Sequence, residues 1–194
     1  MEKRYFTRSL AALLVAAAGL ALVSGCAHDQ PFAPDDVVAP AAANNVLDAL
    51  RDAYESMSIE AYANLLHPDY RFIFAGRGKA PFDRDDDLAS TGRMFSGIDQ
   101  KNSAGGDAPA VGSIVFERLE ILEGWERVAP GEIDWSDESG VMRALIAYRF
   151  VLRLKNGHVL SPSGRQVVYA VPVRTEDWDG ALYWRWQLLG QRDL

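Results

Sequence analysis

The sequence is poor in the residues that build metal centres and disulfides. It contains one cysteine, Cys26, and three widely separated histidines, His28, His67 and His158. A structural zinc site needs four Cys or His ligands, so we expect no metal site, and we expect no other cofactor. One cysteine cannot close a disulfide within the chain. The folded part must therefore be stable through its core alone.

Long apolar runs are missing as well. The run LAALLVAAAGLALV, residues 10–23, is shorter than the roughly 20 residues that a membrane-spanning helix needs. Three basic residues lie within the first eight positions, and the small residues Ser24 and Gly25 follow the run. A basic start, a short apolar run and a small-residue end are typical of a secretory signal. We therefore interpret residues 1–25 as a signal peptide.

The one cysteine stands directly after this segment, in LVSGCA. The stretch resembles the lipobox of bacterial lipoproteins, in which an aliphatic and two small residues precede the cysteine. The resemblance implies cleavage before Cys26, a diacylglycerol thioether on its sulfur and an acyl chain on its new amino group. Ala27, where an Asp would imply the inner membrane, implies a lipid anchor in the outer membrane, with the protein facing the periplasm. The alternative is an ordinary signal peptide followed by a stray cysteine.

Basic residues are scarce relative to acidic ones. The chain has 20 Lys and Arg against 27 Asp and Glu, a net charge of −7. Residues 1–25 hold three basic residues and one acidic one, so the remainder has 17 against 26, a net charge of −9. A negative surface does not favour nucleic acid as a partner, and we expect none. We interpret residues 26–44, rich in Pro, Ala and Asp, as the lipidated cysteine and a flexible tether.

Residues 45–194 have the size of a single domain. Apolar spacing of three and four residues predicts a first helix capped by Asn44 or Asn45 and a second capped by Ser58. Asp83 is the predicted cap of a third helix, whose first turn is acidic through Asp85–Asp87 and whose inward residues include Thr91 and Phe95. We interpret this acidic run as a helix start and residues 132–140, EIDWSDESG, as a solvated connection, because neither has the spacing of a calcium-binding loop.

Alternating apolar residues predict a short strand at 69–76 and four long strands after the third helix. The long strands cover 114–128, 140–155, 158–174 and 181–192, and Asn156-Gly157 is the expected hairpin turn between the second and third. On the third we expect an inward-facing set of Val167, Tyr169, Val171 and Val173. On the fourth, Trp184, Trp186 and Leu188 should face inward.

Two helices running into NLLHPDYRFIFAG, a helix in FDRDDDLASTGRMF and the ending WRWQLLGQRD follow in an order that resembles the NTF2-like (SnoaL-like) superfamily. The resemblance implies an α+β cone, in which N-terminal helices pack on a strongly bent antiparallel sheet and an open pocket can remain between them. It covers residues 45–194. A lipocalin-like barrel is the competing fold, but it would not begin with two helices.

The resemblance directs attention to aromatic residues on the predicted inward faces. These residues would line a pocket for a small apolar ligand: Tyr54, Tyr62, Phe72, Tyr148, Tyr169, Trp184 and Trp186. Tyrosine hydroxyls and indole N–H groups would be the polar points of an otherwise apolar site. We expect binding of such a ligand, or of a protein partner, without catalysis.

Two alternatives stay open. Some enzymes of the superfamily catalyse isomerisation, dehydration or cyclisation, and by resemblance His67 and Asp69 would move protons here, although the predicted inward strand faces carry few acids. The other alternative is a structural module that forms a homodimer through its open sheet face, which carries Arg143, Arg149 and Leu189. An inward, buried acid would favour the enzyme.

Overall fold

A computed structural model describes residues 40–76, 79–101, 105–129, 131–176 and 178–194. The predicted signal peptide, Cys26 and most of the predicted tether lie outside these ranges. Three helices are present in the described chain: α1 (Pro40–Glu55), α2 (Ile59–Leu65) and α3 (Arg84–Phe95). Within the same ranges, no helix has the length and apolar character needed to cross a membrane.

Helix α1 begins five residues before the predicted start of the domain. Ala43 is fully buried in the core, so the end of the segment assigned to the tether is helical instead. Neither Asn44 nor Asn45 is the cap, because both lie inside this helix, and the side-chain oxygen of Asn44 accepts a hydrogen bond from the Trp125 indole at 2.9 Å. The other two caps are confirmed. Ser58 accepts from the Ala61 amide, and Asp83 accepts from two amides in the first turn of α3.

The strands are β1 (Leu66–Ile73), β2 (Phe82–Asp83), β3 (Gln100–Lys101), β4 (Asp107–Ala108), β5 (Val111–Arg127), β6 (Met142–Leu154), β7 (Val159–Leu160), β8 (Ser163–Glu176) and β9 (Leu182–Asp193). The main sheet has the order β2-β1-β9-β8-β6-β5, with β7 beside β6, while β3 and β4 form a separate pair. Repeated register shifts in β5 bend the sheet around the helices. The predicted α+β class, with N-terminal helices on a bent sheet, is confirmed.

One pairing differs from the expected antiparallel sheet. The four long strands are antiparallel to one another, but β1 runs parallel to β9, with Leu66 opposite Leu188. The chain passes from α2 into β1 without a turn and reaches β9 only after α3 and the other long strands. This long intervening segment provides the crossover that a parallel pair requires.

The main core lies between the helices and the inner face of the sheet. Strand β6 contributes Met142, Ala144 and Ile146 to it, all nearly inaccessible to solvent. On β8 the inward residues are Val168 and Ala170, so the predicted inward set of Val167, Tyr169, Val171 and Val173 faces the opposite side of the sheet. The prediction failed because β8 is apolar on both faces, and alternation alone cannot orient such a strand.

The second apolar face of β8 is covered by residues 131–141, which we call the strap. Its Ile133 and Trp135 pack over Tyr169, Val171 and Leu189. Residues 132–140 of the strap were predicted to be a solvated connection, but Ile133 is only 8% exposed. Leu189 is fully buried under it, so this residue is not available to a dimer interface.

Gly190 allows the strap to lie close to the sheet. A Cβ atom at this position would lie 3.1 Å from Cζ2 of Trp135 and 3.0 Å from the Arg71 carbonyl oxygen. Both distances are shorter than ordinary carbon contacts, so a side chain here would push Trp135 outward.

Candidate functional site

A carboxylate lies buried between the helices and the sheet. Asp87 is the last of three aspartates in the first turn of α3 and is 6% exposed, whereas Asp85 of the same turn is exposed. The Tyr62 hydroxyl of α2 donates a 2.5 Å hydrogen bond to Oδ2 of Asp87. Asp87 belongs to the acidic first turn of α3, and its position on the helix places its side chain on the side that faces the core.

The environment of this acid shifts its titration toward neutrality. Burial raises the pKa of Asp87 to about 6, with a further increase from Asp86, against the lowering effect of the Tyr62 hydrogen bond. Burial, reinforced by the Asp87 charge, also raises the pKa of Tyr54, Tyr62 and Tyr70 above the usual range. The site therefore combines a carboxyl group that can gain or lose a proton near neutral pH with phenols that remain neutral donors.

Aromatic rings pack around Tyr54, beside the tyrosine that bonds to the buried acid. The Tyr54 ring makes edge contacts with Tyr62 and Phe95, at centroid distances of 5.3 and 5.1 Å. On the sheet side it meets Phe116 and Phe150 at 5.9 and 6.2 Å. We call Asp87 with Tyr54, Tyr62 and these three phenylalanines the inner cluster. It is a mainly apolar cluster with a few polar atoms, the chemical combination that ligand sites usually have.

A chain of hydrogen bonds runs through the buried ends of β1, β8 and β9. The Tyr70 hydroxyl donates to Oε1 of Gln191 at 2.8 Å, and Nε2 of Gln191 donates to Gln166 at 3.2 Å. Gln166 in turn donates to Oδ1 of Asp193 at 2.7 Å. Burial raises the pKa of half-buried Asp193, and burial together with the Asp193 charge raises the pKa of Tyr148 to about 12. Every donor in this chain points toward the Asp193 carboxylate, which fixes the orientation of both amides.

The predicted pocket residues separate into distinct groups. Tyr54 and Tyr62 belong to the inner cluster, and Tyr148 stacks on Phe150 at 5.9 Å next to it. Phe72 and Trp186 are partly buried against the main core, and Phe72 also contacts Phe74. Trp184 of β9 is half-buried. Tyr169 is on the opposite face, where its ring meets Trp135 at 5.4 Å, so it cannot line the same pocket.

The structure brings His67 and Asp69 together, but away from the inner cluster. Leu66 faces the core and the following His67 faces the strap. The Asp69 amide donates to Nδ1 of His67 at 3.1 Å, while the Asp69 carboxylate accepts from the Ser136 hydroxyl at 3.2 Å. His67 Nε2 lies 3.5 Å from Oε1 of Glu138, and this partner lowers the Glu138 pKa. These contacts of His67 and Asp69 hold the strap against β1.

His67, Asp69 and Glu138 are also close enough to surround a metal ion. The hydrogen bond from the Asp69 amide requires a lone pair on Nδ1, so the neutral ring carries its proton on Nε2. That nitrogen then donates toward Glu138 and has no free lone pair for a metal. The geometry favours a histidine–carboxylate pair over metal ligation.

Asp87 was missed as a candidate because its acidic neighbours suggested a helix start. The signal that could have found it is the spacing of α3. Thr91 and Phe95 were expected to face inward and are buried, and one further step of four residues toward the N-terminus reaches Asp87.

No protein-family model matches the chain, and no curated protein matches it significantly. Solved structures similar to it include a ketosteroid isomerase-like protein from Erwinia carotovora atroseptica, with 15% identity over 79% of this chain and 92% of the other and a TM-score of 0.45. An NTF2-like protein of unknown function in nutrient uptake from Rhodospirillum rubrum has 14% identity over 77% and 94%, with a TM-score of 0.45. A conserved protein from Planctomyces limnophilus has 15% identity over 78% and 91%, with a TM-score of 0.40.

Proposed function

We propose that the domain binds a small, mainly apolar molecule at the inner cluster and that the chain is held in the outer membrane by a lipid on Cys26, facing the periplasm. The observation that supports binding is the Asp87–Tyr62 hydrogen bond beside a cluster of aromatic side chains. A buried carboxyl group costs stability, and groups with such a cost concentrate at functional sites. The ligand would carry one hydroxyl or carbonyl group for these polar atoms.

The lipid anchor can be tested directly. Replacing the cysteine in Cys26→Ser removes the sulfur that would carry the diacylglycerol, so the protein should move from the membrane fraction to the soluble or unprocessed pool. Several acyl chains, each contributing about 0.8 kcal/mol per buried methylene, would make the wild-type attachment stable. Membrane fractionation with metabolic labelling by a fatty-acid analogue measures both effects. Unchanged membrane retention and labelling of the variant would contradict the anchor.

Ligand binding can be tested with the full chain purified from membranes in mild detergent. Native mass spectrometry and organic extraction should reveal a discrete co-purifying molecule in the wild type, reduced at least about tenfold in Asp87→Asn. Asp85→Asn is the matched control, because this exposed aspartate lies in the same helical turn. Extracts in which no molecule depends on Asp87 would contradict binding at the inner cluster.

A second candidate function is proton transfer, in an isomerase, dehydratase or cyclase. The observation that favours it is the Asp87 pKa of about 6 beside a neutral phenol donor, a pair suited to moving a proton and stabilising the resulting oxyanion. Asp87 and Tyr62 would take the roles first assigned to His67 and Asp69, which face the strap. If the extracted molecule is returned to the protein in D₂O, an enzyme would incorporate deuterium at carbon and a binding protein would not.

A further inference from the structure

A groove of about 280 Å³ crosses the outer face of the sheet, on the side opposite the helices. One row of paired residues forms its length: Glu123 of β5 opposite Leu145 of β6, Leu145 opposite Val167 of β8, and Val167 opposite Arg192 of β9. Paired residues point to the same face, so Leu145 and Val167 make an apolar floor between two opposite charges. Three steps between strands place the Cα atoms of Glu123 and Arg192 about 14 Å apart.

Arg192 is positioned as an anion receptor. Its guanidinium lies 6.0 Å from the ring centroids of both Trp135 and Tyr169, which restrain it without neutralising its charge. Among the described residues, no carboxylate comes within ion-pair distance of Arg192. Contact with two rings, rather than with a carboxylate, leaves the guanidinium able to receive a planar acceptor such as a ligand carboxylate.

In the next row of the sheet, an arginine forms ion pairs within the protein. Arg143 also lines the groove, but it pairs with Glu126 at 2.6 Å and with Glu132 of the strap. Its charge is therefore met within the protein. At the far end of the first row, Glu123 is exposed and has no cation within ion-pair distance in the part of the chain that the structure describes.

We propose that this groove binds a small zwitterion of dipeptide size, with its carboxylate on Arg192, its ammonium group on Glu123 and an apolar middle over Leu145 and Val167. A simple anion fits less well, because it would not meet the Glu123 carboxylate at the other end of the row. Two extended residues span about 7 Å, and the Glu and Arg side chains can cover the rest of the 14 Å row. A single α-amino acid, about half that length, would require the two side chains to cover more of the row.

The test uses the full chain in detergent micelles and isothermal titration with the dipeptide Ala-Leu. Saturable binding is expected for Ala-Leu. Affinity should fall about tenfold or more with N-acetyl-Ala-Leu or Ala-Leu amide, because each lacks one of the two charges. Arg192→Met and Glu123→Gln should each weaken Ala-Leu binding to the same degree. Arg149→Met is the control, since Arg149 lies on the same outer face beside Glu117 at 3.6 Å, outside the groove, and should change affinity less than twofold.

Several outcomes would overturn the proposal. No saturable heat with Ala-Leu, equal binding of the capped peptides, or unchanged binding in Glu123→Gln would each do so. Because Arg192→Met also removes the contact with Trp135 of the strap, Glu123→Gln is the deciding variant: the Glu123 side chain is exposed, and its loss removes no ion pair among the described residues. The groove and the inner cluster lie on opposite faces of the sheet, so failure at one does not decide the other.

Discussion

Asp87→Asn is expected to make the folded protein more stable at pH 8, by about 1–3 kcal/mol. The wild-type carboxyl is ionised at this pH although it is only 6% exposed. Burial raises its pKa from 3.8 to about 6, which corresponds to a cost of about 3 kcal/mol for keeping the ionised form in the folded state. Asparagine has the same shape and an oxygen that can accept from Tyr62, but no charge to bury.

The effect has a defined dependence on pH. Below pH 3.8, Asp87 is protonated in both folded and unfolded chains, and the favourable contribution of its raised pKa is fully present. As the pH rises to about 6 and beyond, the folded state loses that contribution because its carboxyl must ionise while buried. The advantage of Asp87→Asn over the wild type should therefore appear between pH 4 and 6 and reach its maximum above pH 6.

Urea unfolding of both proteins at pH 5 and pH 8 measures this difference. Asp85→Asn is the control, because Asp85 is exposed and its replacement should change the free energy of unfolding by no more than about 0.5 kcal/mol at either pH. An Asp87→Asn protein less stable than the wild type at pH 8 would contradict the assignment of Asp87 as a costly buried acid. A stabilised protein that has also lost its ligand would show the exchange of stability for function seen at binding sites.

Much of the fold could be predicted because it depends on local signals. Ser58 and Asp83 cap their helices through bonds to amides two or three residues away, and the glycine of Asn156-Gly157 adopts the left-handed conformation that its hairpin requires. The inward face of β6 could be read from alternation because its other face carries Arg143 and other polar residues.

The predictions were wrong where contacts with a segment distant in the sequence determine which way a residue faces. Tyr169 faces outward because the strap covers an otherwise exposed apolar face of β8, and nothing within β8 reveals that cover. His67 meets Glu138 across more than 70 residues of chain. Asp87 was hidden because an aspartate in the first turn of a helix has an adequate local explanation, and only the packing of α3 against α2 shows that it also has a buried partner.

Tyr62→Phe is expected to destabilise the protein by about 2–3 kcal/mol at pH 8. The substitution removes one hydroxyl, the donor of the 2.5 Å bond to Asp87, and leaves an ionised carboxylate buried without it. At pH 5, about one unit below the Asp87 pKa, most of the folded protein has a neutral carboxyl at this position. The cost of Tyr62→Phe should then fall to about 1 kcal/mol, the value of an ordinary neutral hydrogen bond.

A double-mutant cycle separates this bond from the other effects of losing the hydroxyl. In the Asp87→Asn background, Tyr62→Phe should cost at least about 1 kcal/mol less at pH 8 than in the wild type, because no charge remains to be stabilised. Tyr183→Phe serves as the control, since Tyr183 is 44% exposed on β9 and its hydroxyl loss should be nearly neutral. A Tyr62→Phe cost that is equal at pH 5 and pH 8 and equal in both backgrounds would mean that Asp87 is protonated at pH 8. In that case the inner cluster would hold a neutral acid at neutral pH, able to donate a hydrogen bond to a ligand but not to accept its proton.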